Sequence, residues 1–438
     1  MKHTKTINIL RKSVLFLFIF FFSSVNAQKT VSIEEAINIA LKYNFDIQTA
    51  KNDETISKVN NTPGNAGMLP TVGINGSGTY THSSSNQKSG SGAVTNSTSS
   101  GTSLNIGPQL NWTLYDGGKM FVTKNRLNEI QALGEIQFKE QVLQTLFDVI
   151  AAYYDVVRQK QQLNSIEESL NYNNVRLTIA NAGFNAGSLL KTDLLQAKID
   201  LNVTTENKIN QQYSIDAAVK TLNLLLGRNS EEPIDVLDTI PLAVTPDKAG
   251  LLTKIDNSNT SILNAQKQID IARLALKENR SLYLPNLEFK AGYYLSHTNN
   301  SAGSVIRNNS FGPQVGGTLT IPIYSAGETK RKVTTAKIQT ESAELDLQSM
   351  KLQVNALLQN TLIEFENQQQ LLKIETENNG LAKENLQISL DRLKHGQATS
   401  LEVHQAQENY VQSNTRLINF RYNLKMAETK LKQLVSSL

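Results

Sequence analysis

Two hydrophobic patterns divide the chain. In 103–114, Leu104, Ile106, Leu110, Trp112 and Leu114 fall on one parity, and Ser103, Asn105, Gln109, Asn111 and Thr113 on the other. In 286–296, Leu287, Phe289, Ala291, Tyr293 and Leu295 alternate with Asn286, Glu288, Lys290 and Ser296. In 310–323, Phe311, Val315, Leu319, Ile321 and Ile323 alternate with Ser310, Gln314, Thr318 and Thr320, and 71–81 repeats the pattern more weakly through Val72, Ile74 and Tyr80. Strict period two predicts strands with one apolar and one polar face.

The second pattern has a heptad spacing, as in Leu345 and Leu352, or Leu358, Phe365 and Leu372. It lies in two Pro-free stretches, 109–232 and 323–438, rich in Leu, Ala, Gln, Lys and Glu. Proline in a helix interior costs about 3 kcal/mol, so both stretches can host very long helices. Their narrow apolar stripes predict coiled-coil packing, with the stripe residues as core. Residues 117–182 and 325–394 would each reach roughly 100 Å as one helix. The flanking helices, 32–62, 190–227, 257–282 and 400–436, are about half as long.

The strands pair into two hairpins, 68–115 and 284–324. The Ser-rich segments 83–102 and 298–309 are expected to be their polar loops, the first one mobile. Strands of about 10 to 14 residues exceed the usual soluble length and match the roughly 9 to 11 needed to cross a bilayer.

The order helix, hairpin, long helix, break, helix occurs twice. Leu69-Pro70 precedes the first hairpin and Leu284-Pro285 the second, at a spacing of 215. Beyond the hairpins the spacing is 209: LNWTLY at 110–115 matches LTIPIY at 319–324, Gly118 matches Gly327, Gly187 matches Gly396, Asp193 matches Glu402, and Leu222 matches Leu431. The chain divides into a first repeat at 28–230 with a break at 183–189, a connector at 231–256 containing Pro233, Pro241 and Pro246, and a second repeat at 257–438 with a break at 395–400. Gly187 and Gly396 supply the left-handed backbone that ends a helix. Ser400 is expected to cap the following helix, Glu402 to favour its positive end, and Ser188 or Thr192 to act similarly in the first half.

Four amphipathic strands cannot close a barrel, and open sheet edges are costly in lipid. The strands are therefore expected to be shared between copies. Three copies give twelve strands, and a homotrimer is expected; a dimer with eight strands is the alternative that closure also allows.

Composition narrows the remaining classes. Lys2, Lys5, Arg11 and Lys12, the apolar run Val14–Phe22 and the small residues ending at Ala27 read as a secretory leader over 1–27. The leader carries four basic and no acidic side chains, so the formal charge of +4 falls to zero without it and gives no support for nucleic-acid binding. Cysteine is absent, which excludes disulfides, thiolate chemistry and Cys-ligated zinc. No nucleophile–base set, phosphate loop or metal-ligand cluster stands out, so no enzyme, cofactor or metal is expected. His82 and His297 are expected at the outer ends of strands, and His395 and His404 as solvated side chains beside the second break. Tyr153 and Tyr154 read as interhelical packing, Asp155 as a solvated charge, and Trp112 as a candidate for an aromatic girdle.

Over 28–438 the chain resembles the TolC-type outer-membrane efflux proteins. The resemblance is carried by the two halves, the Leu-Pro strand starts, LYDGG at 114–118, and the breaks FNAGSLLKTD at 184–193 and LKHGQATSLE at 393–402. It implies an α+β membrane protein: a homotrimer with a twelve-stranded outer-membrane barrel and a coiled-coil helical tunnel in the periplasm. It further implies a passive exit duct of an efflux or type I secretion system, served by a periplasmic adaptor and an inner-membrane pump. By the same resemblance Asp193, Glu402 and Gln405 belong to the entrance, with Glu402 lining it. Gly187, Ser188, Leu189, Gly396, Gln397 and Ala398 belong to the adaptor-docking tips. Two departures stand out: Gln405 replaces a second acidic ring found in some members, and Ala398 replaces a restraining Arg. The rival reading is a soluble periplasmic coiled-coil adaptor or structural protein.

Overall fold

The structure, a computed structural model, describes residues 30–242 and 247–438. The leader at 1–27 lies outside the described residues. In chain order the elements are β1 (Thr30–Val31), α1 (Ile33–Tyr43), α2 (Phe45–Asn60), β2 (Thr71–Lys88), β3 (Val94–Asp116), α3 (Lys119–Asn185), α4 (Lys191–Leu225), β4 (Asp235–Val236), α5 (Lys248–Ser258), α6 (Thr260–Ser281), β5 (Asn286–Asn300), β6 (Arg307–Thr320), α7 (Glu328–Lys394) and α8 (Ser400–Leu434). Both expected long helices form, each 67 residues without a break.

The chain folds into two compact units, each drawing on both halves of the sequence. One contains 50–139 and 260–353. It holds a four-stranded antiparallel sheet in the order β2-β3-β5-β6. Val72, Ile74, Leu104, Ile106, Leu295, Phe311, Val315 and Leu319 are all exposed on its apolar face. The outer edges of β2 and β6 have no partner strand among the described residues. Ion pairs Arg126–Glu278 at 2.8 Å and Lys267–Glu129 at 2.6 Å join α3 to α6.

The first hairpin corrects the expected loop at 83–102. Its register runs unbroken from Thr71 opposite Asn111 to Lys88 opposite Val94, leaving only a short turn in which Gly92 takes a positive φ. Serine hydroxyls pair across it, Ser83 to Ser99 at 3.2 Å. The second hairpin likewise continues past its expected end, to Asn299 opposite Arg307. His82 and His297 thus lie within strands, opposite Ser100 and Asn309, rather than at strand ends. The register of β3 with β5 slips between Thr113 and Tyr115, so that Tyr115 faces Leu287. β6 stops at Thr320, leaving Ile321 and Ile323 outside the strand beside Pro322, which has no N–H for a ladder.

The other unit contains 30–49, 140–259 and 354–438 among the described residues. Its core joins Ala36 and Ala40 of α1, Val149, Tyr153 and Val157 of α3, Leu222 of α4 and Val236 of β4. Tyr153 Oη donates to Val31 C=O at 2.8 Å and accepts from Leu237 N–H at 3.2 Å, pinning the parallel β1–β4 pair. The expected helix 32–62 is divided at Asn44, whose backbone is extended and whose Oδ1 accepts from the N–H groups of Asp46 and Ile47. The expected connector contains β4 and most of the separate helix α5.

The heptad expectation divides in the same way. Leu358 and Phe365 are buried, whereas Leu345 and Leu352 are exposed on the single chain. Asp155 is not a free charge: Arg158 holds it at 2.5 Å.

Candidate functional site

The two helical breaks are tight turns of the same design. Gly187 (φ +76°) and Gly396 (φ +71°) occupy the left-handed region that an L side chain enters only with strain. Before Gly187, the Gly183 carbonyl accepts the N–H of Ser188 at 2.8 Å and of Leu189 at 3.1 Å. Around Gly396, the Arg392 carbonyl accepts the N–H of Gln397 at 2.8 Å, and the Arg392 guanidinium donates to the Gln397 carbonyl at 2.9 Å. Leu189 packs on the cluster of Ala180, Leu194 and Ala197, and Ala398 on the cluster that contains Leu386, Leu390, Leu393 and Val403. Gly187, Ser188, Gly396 and Gln397 are exposed.

The helix caps differ from the sequence expectation. Thr399, not Ser400, caps α8: its Oγ1 accepts the Glu402 N–H at 3.2 Å. At α4 neither Ser188 nor Thr192 caps; Asp193 Oδ2 accepts the Leu190 N–H at 3.1 Å. Ser188 Oγ instead donates back to the Gly183 carbonyl.

The three entrance candidates do not form one cluster. Asp193 is committed to its cap on α4. Glu402 stands half-exposed on α8, its carboxylate 3.3 Å from Thr399 Oγ1 and 3.9 Å from Arg392. Gln405 is exposed and donates to Asn409 Oδ1 at 3.2 Å. Among the described residues no hydrogen bond or ion pair joins Asp193 to Glu402 or Gln405. The position of Ala398 lacks a cation, but Arg392 brings one to the same turn.

Sequence reasoning missed a tie deeper in this unit. Arg176 on α3 is 1% exposed and forms an ion pair with Asp200 on α4. His404 on α8, expected to be solvated, lies 3.3 Å from Asp200 and 3.5 Å from Arg176, and Gln407 accepts from Arg176 at 3.5 Å. A small cavity of about 150 Å³ of mixed lining, with Ser169, Asn173, Thr204 and His404 beside Ile166 and Val203, opens beside it. The tie continues a polar seam between α3 and α8. There Tyr410 donates to Glu168 at 2.7 Å, Asn414 to Ser165 at 2.7 Å and Gln162 to Asn419 at 3.3 Å. Burial and the Glu168 carboxylate raise the Tyr410 pKa, keeping its proton on the phenol. A signal was available: Arg176 and Asp200 stand at comparable distances on either side of Gly187, and an antiparallel helical hairpin places such residues opposite one another.

Among the described residues, no group of three or more His, Asp or Glu side chains is placed to hold a metal, and no helix is long and apolar enough to cross a membrane.

The profile of the family described as "Outer membrane efflux protein" matches residues 36–228 and 251–437. The proteases secretion protein PrtF of Dickeya chrysanthemi is 19% identical over 98% of this chain and 93% of its own length. The alkaline protease secretion protein AprF of Pseudomonas aeruginosa is 25% identical over 49% of this chain, a match spanning 45% of AprF. Among solved structures, the outer membrane protein VceC of Vibrio cholerae superimposes with a TM-score of 0.73 at 15% identity, over 92% of this chain and 96% of that one. With two helical hairpins, two long β-hairpins and a match over most of its length, the chain belongs to the outer membrane efflux protein family, a family of outer-membrane channels and not of enzymes.

Proposed function

We propose that three copies of this chain form a passive exit duct across the outer membrane. The carrying observation is the sheet. It has four long strands, an apolar face exposed to solvent and two unpaired edges. Pairing β2 of one copy with β6 of the next would satisfy both edges, turn the apolar face to lipid and give twelve strands. The exposed Leu345 and Leu352 of α7, and Ile199, Ile209 and Tyr213 of α4, would be covered by neighbouring copies in a helical tunnel.

The chain halves 28–230 and 257–438 are read as two copies of one plan. Left-handed backbone recurring at Gly118 and Gly327, and at Gly187 and Gly396, supports that division. The turns at 183–189 and 395–400 form the periplasmic entrance. Gly187, Ser188, Leu189, Gly396, Gln397 and Ala398 offer the surface to a periplasmic adaptor that couples the duct to an inner-membrane pump. Glu402 contributes a ring of carboxylates, partly balanced by Arg392. Asp193 acts by fixing the start of α4, and Gln405 supplies a neutral position one turn beyond Glu402. Cargo is chosen by the pump. The names of PrtF and AprF favour proteins as cargo.

The test is electron microscopy of the protein extracted from outer membranes in detergent. A three-fold particle with a helical tube of roughly 100 Å is expected. A compact monomer recovered without detergent would instead establish the soluble adaptor reading.

A further inference from the structure

On the polar face of the sheet, charge is nearly absent. The positions facing that side in β2, β3, β5 and β6 are Ser, Thr, Asn, Gln and Gly, with four exceptions: Glu288, Lys290, Tyr294 and, at the helix end of β3, Asp116, which accepts the Met120 N–H at 3.1 Å. Glu288 and Lys290 lie 3.4 Å apart and cancel each other. Tyr294 is the only aromatic residue on this face.

Its surroundings are cleared of side chains on three sides. Gly312 is opposite Tyr294 on β6, and the β3–β5 register brings Gly107 alongside it. Gly292 precedes it on the same face of β5. A Cβ at Gly292 would meet ring atoms Cε2 and Cζ of Tyr294 at 2.8 and 2.9 Å, so the ring lies down over this glycine. A Cβ at Gly312 would meet nothing within 4 Å. A concavity of about 660 Å³ results, lined by Tyr294, Gly312, Asn105, Ser296, Ser310 and Gln314 among others. Glycine inside a strand often marks a close approach by another group. An aromatic ring beside a few polar groups is the usual composition of a small-molecule site.

The geometry points to a weak binding station for uncharged, hydroxyl-bearing ring compounds in the lumen of the barrel, with Tyr294 as the stacking surface. The inference rests on the duct reading, because closure into a barrel turns the polar face inward. The ligand stacks one ring face on Tyr294 and exchanges hydrogen bonds with the Asn105 and Gln314 amides and the Ser296 and Ser310 hydroxyls. The neutral lining offers an ion no compensation for lost water, so a charged analogue gains little there. The exit thus retards cargo by shape and stacking, separately from any charge at the entrance.

The test uses the full protein in planar bilayers, with 4-nitrophenyl β-D-glucoside as probe. Transient current blockades are expected. Tyr294→Ala should shorten them about tenfold, Tyr294→Phe should preserve them, and Gly312→Leu, which fills the bay, should remove them while ion conductance persists. Equal blockade times in the parent and Tyr294→Ala would overturn the station. Inserted protein that passes no current at all would overturn the duct reading beneath it, a distinguishable failure.

Discussion

Asn44 and Asn259 perform the same task in the two halves. Asn44 Nδ2 donates to the Leu225 carbonyl at 2.8 Å, and Asn259 Nδ2 donates to the Leu434 carbonyl at 2.9 Å. Each asparagine is buried at the break between two consecutive helices, and each closes the C-terminal end of a longer one. Replacing either with Ala leaves a carbonyl without this partner, partly buried at Leu225 and buried at Leu434, at a cost of up to about 1–3 kcal/mol. Thermal melts in detergent should show a lowered midpoint for both variants; an unchanged midpoint in either would deny it that closing role.

Arg176 is a costly side chain to remove, because it is 1% exposed and its charge is matched by Asp200. Its loss leaves the mostly buried Asp200 with only His404 and Gln196 beside it among the described residues, and breaking such a pair costs up to about 3–5 kcal/mol. Arg176→Gln should therefore lower the denaturation midpoint sharply, and the Arg176→Gln/Asp200→Asn double variant should recover part of the loss. A double variant as unstable as the summed singles would show that the two do not act as a pair.

Acid should loosen the unit that holds the tips. Burial opposes ionisation of Glu375 and Glu428, but Arg416 and Ser413 at the first, and Lys432 and Lys425 at the second, outweigh it and hold both pKa values below the ordinary 4.5. A depressed carboxylate stabilises the fold above its unfolded pKa, and this is lost as pH falls through the lower folded value. Melting temperature should stay level down to about pH 5 and then decline. Glu375→Gln should shrink the decline; an identical profile would place the acid sensitivity elsewhere.

Glu402→Ala should reduce the cation preference of the conductance, and Arg392→Gln should raise it by releasing the carboxylate. Unchanged reversal potentials in a salt gradient for both variants would remove Glu402 from the entrance.

The cap correction has its own check. Thr399→Ala should cost about 1 kcal/mol, and Ser400→Ala should stay within about 0.5 kcal/mol. The opposite ranking in chemical denaturation would restore Ser400 as the cap.

The strands were legible wherever one face had to be apolar, because burial or lipid contact writes period two into residues such as Leu104, Ile106 and Leu110. The continuation from Ser83 to Gly101 was not legible. Both its faces meet water, so no alternation is required, and a Ser-rich ladder reads as a loop. The long helices were visible from missing proline, but their packing was not. A heptad stripe does not say whether its partner is in the same chain, and Leu345 looks like Leu358 until the fold separates them. Arg176 and His404 escaped because a charged residue in a polar helix ordinarily reads as solvated. Only the meeting of three helices buries Arg176 and brings His404, still partly exposed, against Asp200. Of the named tip residues, Gly187 and Gly396 followed from backbone geometry, whereas the cap of α8 was displaced by one position, the usual uncertainty of a helix end.

The first hairpin outreaches the second. Six residue pairs, from Ser83 opposite Ser99 to Lys88 opposite Val94, extend beyond the level at which β5 turns back, a further reach of about 20 Å. These strand ends are the ones remote from the helices, and Lys88 is their only charge. In the three-fold duct proposed above they would become three hydrated prongs standing clear of the lipid, the first part of the molecule that a phage, an antibody or a neighbouring cell would touch. Since neither the turns at 183–189 and 395–400 nor the Tyr294 bay depends on them, their serines and threonines would be free to change under that outside pressure while the proposed conduit stays the same.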